Sequence, residues 1–336
     1  MMDGGEARDG RGLSPDEAFS TLGNETRVRI LQTLGEAEGP LSFTELRDRL
    51  GIRQGGQFNY HLEKVVGHFV GKTDEGYLLR QPGRRVVQAI LSGAVTDDPD
   101  LGVTRIDEDC WMCGAPIAVS FDQERLDLYC TGCEGAYGAP SHRWPDQLAR
   151  RTPDVPADVS YLGTMVLQPA GVEGRTADEA YRTAFTWEML DYFAISSDTC
   201  PRCSGRIEKS VRTCEAHDTS AGLCAACGDR YEVQLTADCR NCPYQSRGAF
   251  VHTLYGTREL LAFLTTNGAS PLSPDVGVHP FEVVSGYDEE VLSTDPFGAR
   301  FTFAVDGATL TLTVDDAFDV VDSTHRAADE GASSFL

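Results

Sequence analysis

Apolar residues recur at helical spacing through the first ninety residues and alternate at strand spacing near the end of the chain. The first helix is expected at 15–22, with Ala18, Phe19 and Leu22 as its stripe. Asn24 caps a second helix carrying Val28, Leu31 and Leu34, and a Gly-Pro break follows at 39–40. Ser42 starts a third helix, Glu45 completes its capping box, and Phe43, Leu46 and Leu50 form the buried face. Gly51 ends it, and a tight turn leads to a fourth helix at 53–66. There Phe58, Leu62 and Val65 repeat at i, i+4 and i+7. HFVGKTDEGYLLR then reads as strand, turn and strand, and RRVVQAILSG as a helix opened by Arg84 and Arg85.

Further on, residues 176–194 predict a helix with Thr176 as N-cap and Glu179 closing the box. Residues 256–267 suit a short helix stopped by Gly268, and residues 278–323 alternate like strands. The clearest hairpin is ARFTFAV, Asp306-Gly307, ATLTLTV, because Asp-Gly fits the tight turn between two alternating runs. The fold class is therefore α+β, and the expected boundaries are as follows. A winged helix-turn-helix covers 14–93 and an acidic linker 94–109. A zinc ribbon at 110–140 precedes an irregular Pro- and Arg-rich stretch at 138–160. A helix plus double-zinc ribbon covers 176–250, and a short helix with a β-rich region 251–323. Tails at 1–13 and 324–336 are expected to be disordered.

Charge changes the picture. The chain has 336 residues with 52 acidic and 29 basic side chains, a net of -23, and its only lysines are Lys64, Lys72 and Lys209. An acidic, lysine-poor chain resembles proteins of salt-loving archaea, where salt screens self-repulsion within a few ångströms. Residues 40–90 run the other way, with eight Arg and Lys against five Asp and Glu. A local basic surface of that kind is the electrostatic footprint of nucleic-acid contact. No apolar run is long enough for a membrane span and the polar start lacks a secretory h-region, so the expected location is cytoplasmic.

The expected DNA-contacting residues are Arg53, Gln54, Gln57, Asn59, Tyr60, His61 and Lys64 on the fourth helix, with Lys72 near the tip of the wing. Such groups donate to base edges and phosphates when a helix enters the major groove. FSTLGNETRVRILQTL, LSFTELRDRLG and QFNYHLEKV resemble the ArsR-like winged-helix regulators of haloarchaea, most strongly over 14–93. The resemblance implies a homodimer that binds double-stranded DNA to repress or activate transcription. Metal-sensing members place thiolates around the recognition helix. This chain has no cysteine before Cys110, so it departs from that pattern and metal-triggered release through the helix is in doubt.

Ten of the eleven cysteines form five C-x-x-C pairs, which in this number point to zinc knuckles. Cys110, Cys113, Cys130 and Cys133 make a first four-thiolate site, with two short strands between the knuckles around Asp122–Glu124. The second module holds Cys200, Cys203, Cys214, Cys224, Cys227, Cys239 and Cys242. His217, at knuckle spacing from Cys214, completes twelve ligands for three structural Zn2+ ions. RIEKSVRT and RYEVQLTA have no turn residue at their centres, so each reads as one strand of roughly ten residues and about 30 Å. Knuckles at opposite ends of such a strand cannot share an ion. Strand length thus favours nesting, with 214/217 and 224/227 at the tip and 200/203 and 239/242 at the base. Sequential and interleaved pairings stay open.

The chain shows no phosphate-binding loop, no H-E-x-x-H and no G-x-S-x-G, and His142, His252 and His279 stand alone, so no enzyme is expected. The zinc modules and β region are expected to meet a transcription-machinery or effector partner. An RNA-polymerase adaptor similar to transcription factor E in its parts, with little sequence preference, is the alternative.

Overall fold

The computed structural model describes residues 12–137, 156 and 158–328. The expected tails at 1–11 and 329–336, most of the irregular stretch (138–155 and 157) and His142 lie outside the described residues. The chain divides into two compact units, Met1–Asp97 and Asp98–Leu336. The fold is mixed α+β, with short helices and four small antiparallel sheets among the described residues.

The first unit begins with α1 (Pro15–Leu22) and α2 (Glu25–Gly35), capped by Ser14 and Asn24. Then come α3 (Phe43–Arg49), with the Ser42/Glu45 capping box, and α4 (Gly55–Val65). The hairpin β1 (Val70–Thr73) and β2 (Gly76–Leu79) leads to α5 (Gln81–Leu91). Leu46, Phe58, Leu62, Val65 and Val87 meet in an apolar core, where Phe43 sets its ring edge-on to Phe58 at 4.9 Å. The hairpin is tied to the chain before α3. Leu41 N–H donates to Tyr77 O at 3.0 Å, and Tyr77 N–H to Leu41 O at 2.8 Å. Gly76 permits this approach, since its φ is 139° and a Cβ there would lie 2.4 Å from the Leu41 carbonyl oxygen.

Three expectations in this unit are corrected. Phe19 is 74% exposed, because only Ala18 and Leu22, four residues apart, reach the core from so short a helix. On α2 the buried positions are Ile30, Leu31 and Leu34, and Val28 is half-buried. Helix α5 starts at Gln81, three residues before Arg84, since Pro82 fits a first helical turn where its missing N–H costs nothing.

The second unit carries three sheets. Strands β3 (Leu101–Asp109), β4 (Pro116–Asp122), β5 (Arg125–Cys130) and β6 (Ser160–Val166) pair antiparallel in chain order. Strands β7 (Ile207–Thr213), β8 (Val233–Cys239) and β9 (Gln245–Ala249) form the second sheet. Strands β10 (Asp288–Thr294), β11 (Phe297–Val305), β12 (Ala308–Val314) and β13 (Val320–Arg326) form the third. The 20-residue α6 (Ala177–Ser196) buries Ala184, Phe185, Met189 and Ile195 in a core that runs from Ile106 to Val314. Short helices α7 (Val251–Leu254), α8 (Arg258–Thr266) and α9 (Pro280–Ser285) complete it. The Asp306-Gly307 turn has the expected hairpin geometry, both residues at positive φ, 46° and 82°, between Val305 and its partner Ala308.

Here the sequence reading needs five corrections. Residues 101–109, expected as linker, are β3: pairing with β4 outweighs the acidic composition, and Ile106 is buried. The sheet of β4 and β5 gains β6, of which only Ser160 lies in the stretch expected to be irregular, and one core joins regions expected to be separate modules. Residues 280–285 are helical, with His279 as N-cap and Pro280 in the first turn. Residues 324–326, placed in the tail, pair with β12.

Candidate functional site

Three groups of ligand atoms come together, each with its four atoms within 4.8 Å of one another. The first is Cys110, Cys113, Cys130 and Cys133; the second Cys200, Cys203, Cys239 and Cys242; the third Cys214, His217, Cys224 and Cys227. The first joins the β3–β4 turn to the end of β5. The other two are nested: β7 and β8 run antiparallel, Ile207 opposite Cys239 and Thr213 opposite Val233, so base and tip knuckles lie at opposite ends of one ribbon.

The donor sets fit zinc. Zinc–sulfur bonds of about 2.3 Å in a tetrahedron put neighbouring sulfurs about 3.8 Å apart. The sulfur pairs Cys110/Cys133, Cys113/Cys130, Cys200/Cys242 and Cys203/Cys239 are 3.9, 3.5, 3.7 and 3.5 Å apart. In the third group Cys227 Sγ is 3.6 Å from His217 Nδ1. His217 Nε2 lies 3.1 Å from the Arg230 carbonyl oxygen, an acceptor, so Nε2 carries the proton and Nδ1 faces the thiols.

Backbone N–H groups turn toward the sulfurs. Gly132 and Cys133 donate to Cys130 Sγ at 3.2 and 3.3 Å, and Asn241 to Cys239 Sγ at 3.3 Å. These donors favour thiolate over thiol. Burial pushes the Cys130 thiol up, but the Gly132 and Cys133 N–H groups, together with hydrogen bonds from the Cys133 and Cys113 thiols, bring the net shift downward. The Asn241 side chain, with the Gly205 N–H, holds Cys203 at about 6. Backbone donors around Cys224, led by Asp218 and Cys227, hold it at about 6. Within the same clusters burial raises Cys110 and pushes Cys133 to about 11 and Cys227 to about 12. Each cluster thus sets a thiol pushed down beside one pushed up by burial, and a bound cation favours the ionised form of both.

The clusters are anchored to the core and to each other. Arg202, inside the Cys200–Cys203 knuckle, donates to both carboxylate oxygens of the buried Asp191 on α6 at 2.9 and 2.8 Å. Leu223 N–H donates to Glu134 Oε2 at 3.0 Å, and Arg230 N–H to Ala136 O at 3.0 Å, linking the first and third clusters. Gly135, at φ 81°, makes room where a Cβ would lie 2.1 Å from the Tyr161 carbonyl oxygen. Below the third cluster, Glu289 Oε2 accepts from the Glu232 and Val233 N–H groups.

On the first unit, Gln57, Asn59, Tyr60 and Lys64 are exposed along α4, and Arg53 and Gln54 are exposed just before it. On α4 the spacing 57, 60, 64 follows one face, opposite the buried Phe58, Leu62 and Val65, and Arg53 precedes the helix. The Lys64 ammonium stands 5.6 Å from the Tyr60 ring centre. Asn59 is already committed, its amide donating to Glu63 at 2.7 Å. His61 is half-buried, and its Nδ1 has no hydrogen-bond partner among the described residues. Lys72 is exposed on β1, 5.7 Å from the Tyr77 ring centre. No side chain caps the N-terminus of α4.

The histidines treated as isolated in sequence sit in packed surroundings. His279 lies 3.0 Å from the Tyr181 hydroxyl, and His252 is 3.0 Å from the Tyr192 hydroxyl and stacked on that ring. Sequence reasoning missed the acidic groups on the inner side of α6, Glu188 and Asp191. Their signal was charge three residues apart within an otherwise apolar run containing Phe185, Met189 and Ile195. Among the described residues no helix is long and apolar enough to cross a membrane.

No match is found among the curated proteins or among the solved structures. The first unit is similar, over residues 15–90, to the family described as Domain of unknown function (DUF7347). A second family model spans residues 107–320, nearly all of the described part of the second unit and more than half of the chain. The chain belongs to that family, Domain of unknown function (DUF7351).

Proposed function

We propose that this protein is a homodimeric, sequence-specific regulator of transcription that reads double-stranded DNA through α4. In this reading the first unit works in the manner of the ArsR-like winged-helix proteins it resembles, and three structural zinc ions hold the second unit. The observation that carries the reading is the exposed polar face of Gln57, Tyr60 and Lys64 on α4, with Arg53 exposed just before it, where the helix follows a tight turn and precedes a two-stranded wing. Arg53 and Gln57 suit base edges, and Lys64 and Lys72 suit phosphates. The uncapped first turn of α4 offers backbone N–H groups to a phosphate oxygen.

Zinc in the three clusters would do no chemistry beyond holding the fold, since four protein ligands leave no open position. The thiolates and His217 would bind it, and the β7–β8 ribbon would keep its register because both ends are clamped. The second unit would then be free to meet an effector or the transcription machinery.

Selection from random duplexes tests the reading. A single motif is expected, with half-sites about 10–10.5 base pairs apart. A chain ending near residue 95 is expected to keep measurable binding, because the first unit carries its own core. Equal binding to every duplex, with RNA polymerase co-purifying, would replace the regulator with an adaptor. No duplex binding by a folded, dimeric truncation would remove the first unit as the reader.

A further inference from the structure

The second unit contains a cavity of about 150 Å³ to which no role has yet been given. Its walls are aromatic: Tyr137, Tyr161, Tyr192, Tyr231, Tyr244 and Trp111 all line it. Two carboxyl groups on α6, Glu188 and Asp191, also line it.

The two carboxyl groups are not equivalent. Asp191 spends both oxygens on Arg202. Arg125, also on the wall, lies 3.8 Å from Asp127 and donates to Thr164 Oγ1 at 3.1 Å. Arg247 is exposed at the strand β9 side. Glu188 has hydrogen bonds from the Tyr192 hydroxyl and the Val166 N–H, with Arg202 acting on it only as a charge committed elsewhere. Of the two α6 carboxyl groups, Glu188 is therefore the one not bonded to Arg202, and the one left to ionise against a bound cation.

We propose that this cavity binds a small organic cation of the alkylammonium class, its charged head against Glu188 and its methyl or methylene groups against the tyrosine rings. The faces of aromatic rings are negative and attract cations, and rings gathered around one point form a cage for ammonium groups. The size agrees: a cavity of about 150 Å³ holds a molecule of roughly six heavy atoms. An anion would meet two carboxyl groups. A neutral apolar ligand would give the Glu188 carboxyl no counter-charge on ionising.

Glu188 is half-buried as a residue, yet loss of solvent around its carboxyl, followed by the charge on Asp191, raises it to about 8. Asp191 and Tyr192 on its own helix and Arg202 beside the second cluster act on it directly, and Arg125, Tyr137, Tyr161, Tyr231, Tyr244, Arg247 and His252 are the other titratable groups of the lining. With no cation bound it is mostly protonated at pH 7. A bound cation favours the ionised form, so binding releases a proton and tightens as pH rises toward 8.

The test is calorimetric titration of the full-length, zinc-loaded protein with choline and with its uncharged isostere 3,3-dimethylbutan-1-ol, at constant ionic strength in two buffers of different protonation heat. Choline is expected to bind at least about tenfold more tightly than the isostere, with release of close to one proton at pH 7. Glu188→Gln is expected to abolish that preference while leaving the isostere's affinity in place. Equal affinity for the two compounds, no saturable choline binding, or a preference that survives in a folded Glu188→Gln protein would overturn the proposal. If that variant does not fold, the wild-type comparison decides alone. The outcome is independent of whether α4 reads DNA.

Discussion

The two units hold themselves together by different means. The first closes an apolar core around local helix contacts, from Ile30 to Val87, and contains no cysteine. The second also has an apolar core, into which β8 sends Val233, Leu235 and Ala237, but the cover thins toward the outer strand and tip of the ribbon. Along β7 only Ile207 is buried, and at the tip Cys214, His217 and Cys227 are half-buried while Cys224 is buried. Apolar contact through one strand gives little to set against the entropy of ordering the outer strand and the tip. Four-ligand clusters at both ends supply the missing constraint. The lesson is that metal is expected where burial is thin, and the core of the first unit has no need of it.

The largest expected effect breaks this contrast at the metal. Chelation should unfold the β7–β8 ribbon, since zinc sites of this type contribute on the order of 10 kcal/mol to small modules. Hydrogen exchange should then show lost protection over 200–242 and unchanged protection over 25–65. Equal loss in both units would mean that the first also depends on metal. Native protein should contain three zinc per chain, as the three clusters require.

The reverse experiment comes next. Phe58→Ala empties the centre of the first unit's core and should cost about 3–5 kcal/mol. It should lower only the unfolding transition of that unit and leave the zinc content unchanged. A change in zinc content would contradict the separation of the units.

Much of this was legible in the chain, and for physical reasons. Capping boxes at Ser42 and Thr176 and the Asp-Gly hairpin are local devices, so a short window specifies them. The nested pairing was favoured by strand length, because a rigid strand fixes how far apart its ends lie. What was not legible depends on distant partners. Strand β3 is acidic and becomes a strand only because β4 lies beside it. Strand β6 joins β5 from thirty or more residues away. Phe19 shows the opposite failure: it has helical spacing, but nothing in a window says on which side the core lies.

A smaller effect concerns acid stability of the second unit. Burial holds His279 at about 4, against an opposing pull from Asp275, below its ordinary 6.5. The unfolded chain therefore binds the proton first. Stability from this group is complete above pH 6.5 and falls as pH drops toward 4, by about 3 kcal/mol at most. His279→Gln should flatten that part of the pH profile, and an unchanged slope would assign the acid loss to other groups. Smaller still, Ser42→Ala removes the cap on α3, where Ser42 Oγ accepts from Glu45 N–H at 3.2 Å, and should cost about 1 kcal/mol in denaturant unfolding.

The most direct test of the DNA-reading account reverses charge just before α4 and on its exposed face in the intact, zinc-loaded chain. Arg53→Glu with Lys64→Glu should weaken binding to the selected duplex by a hundredfold or more, about 3 kcal/mol, and reduce the steepness of its salt dependence. Unchanged duplex affinity in a folded double variant would show that this face does not meet DNA.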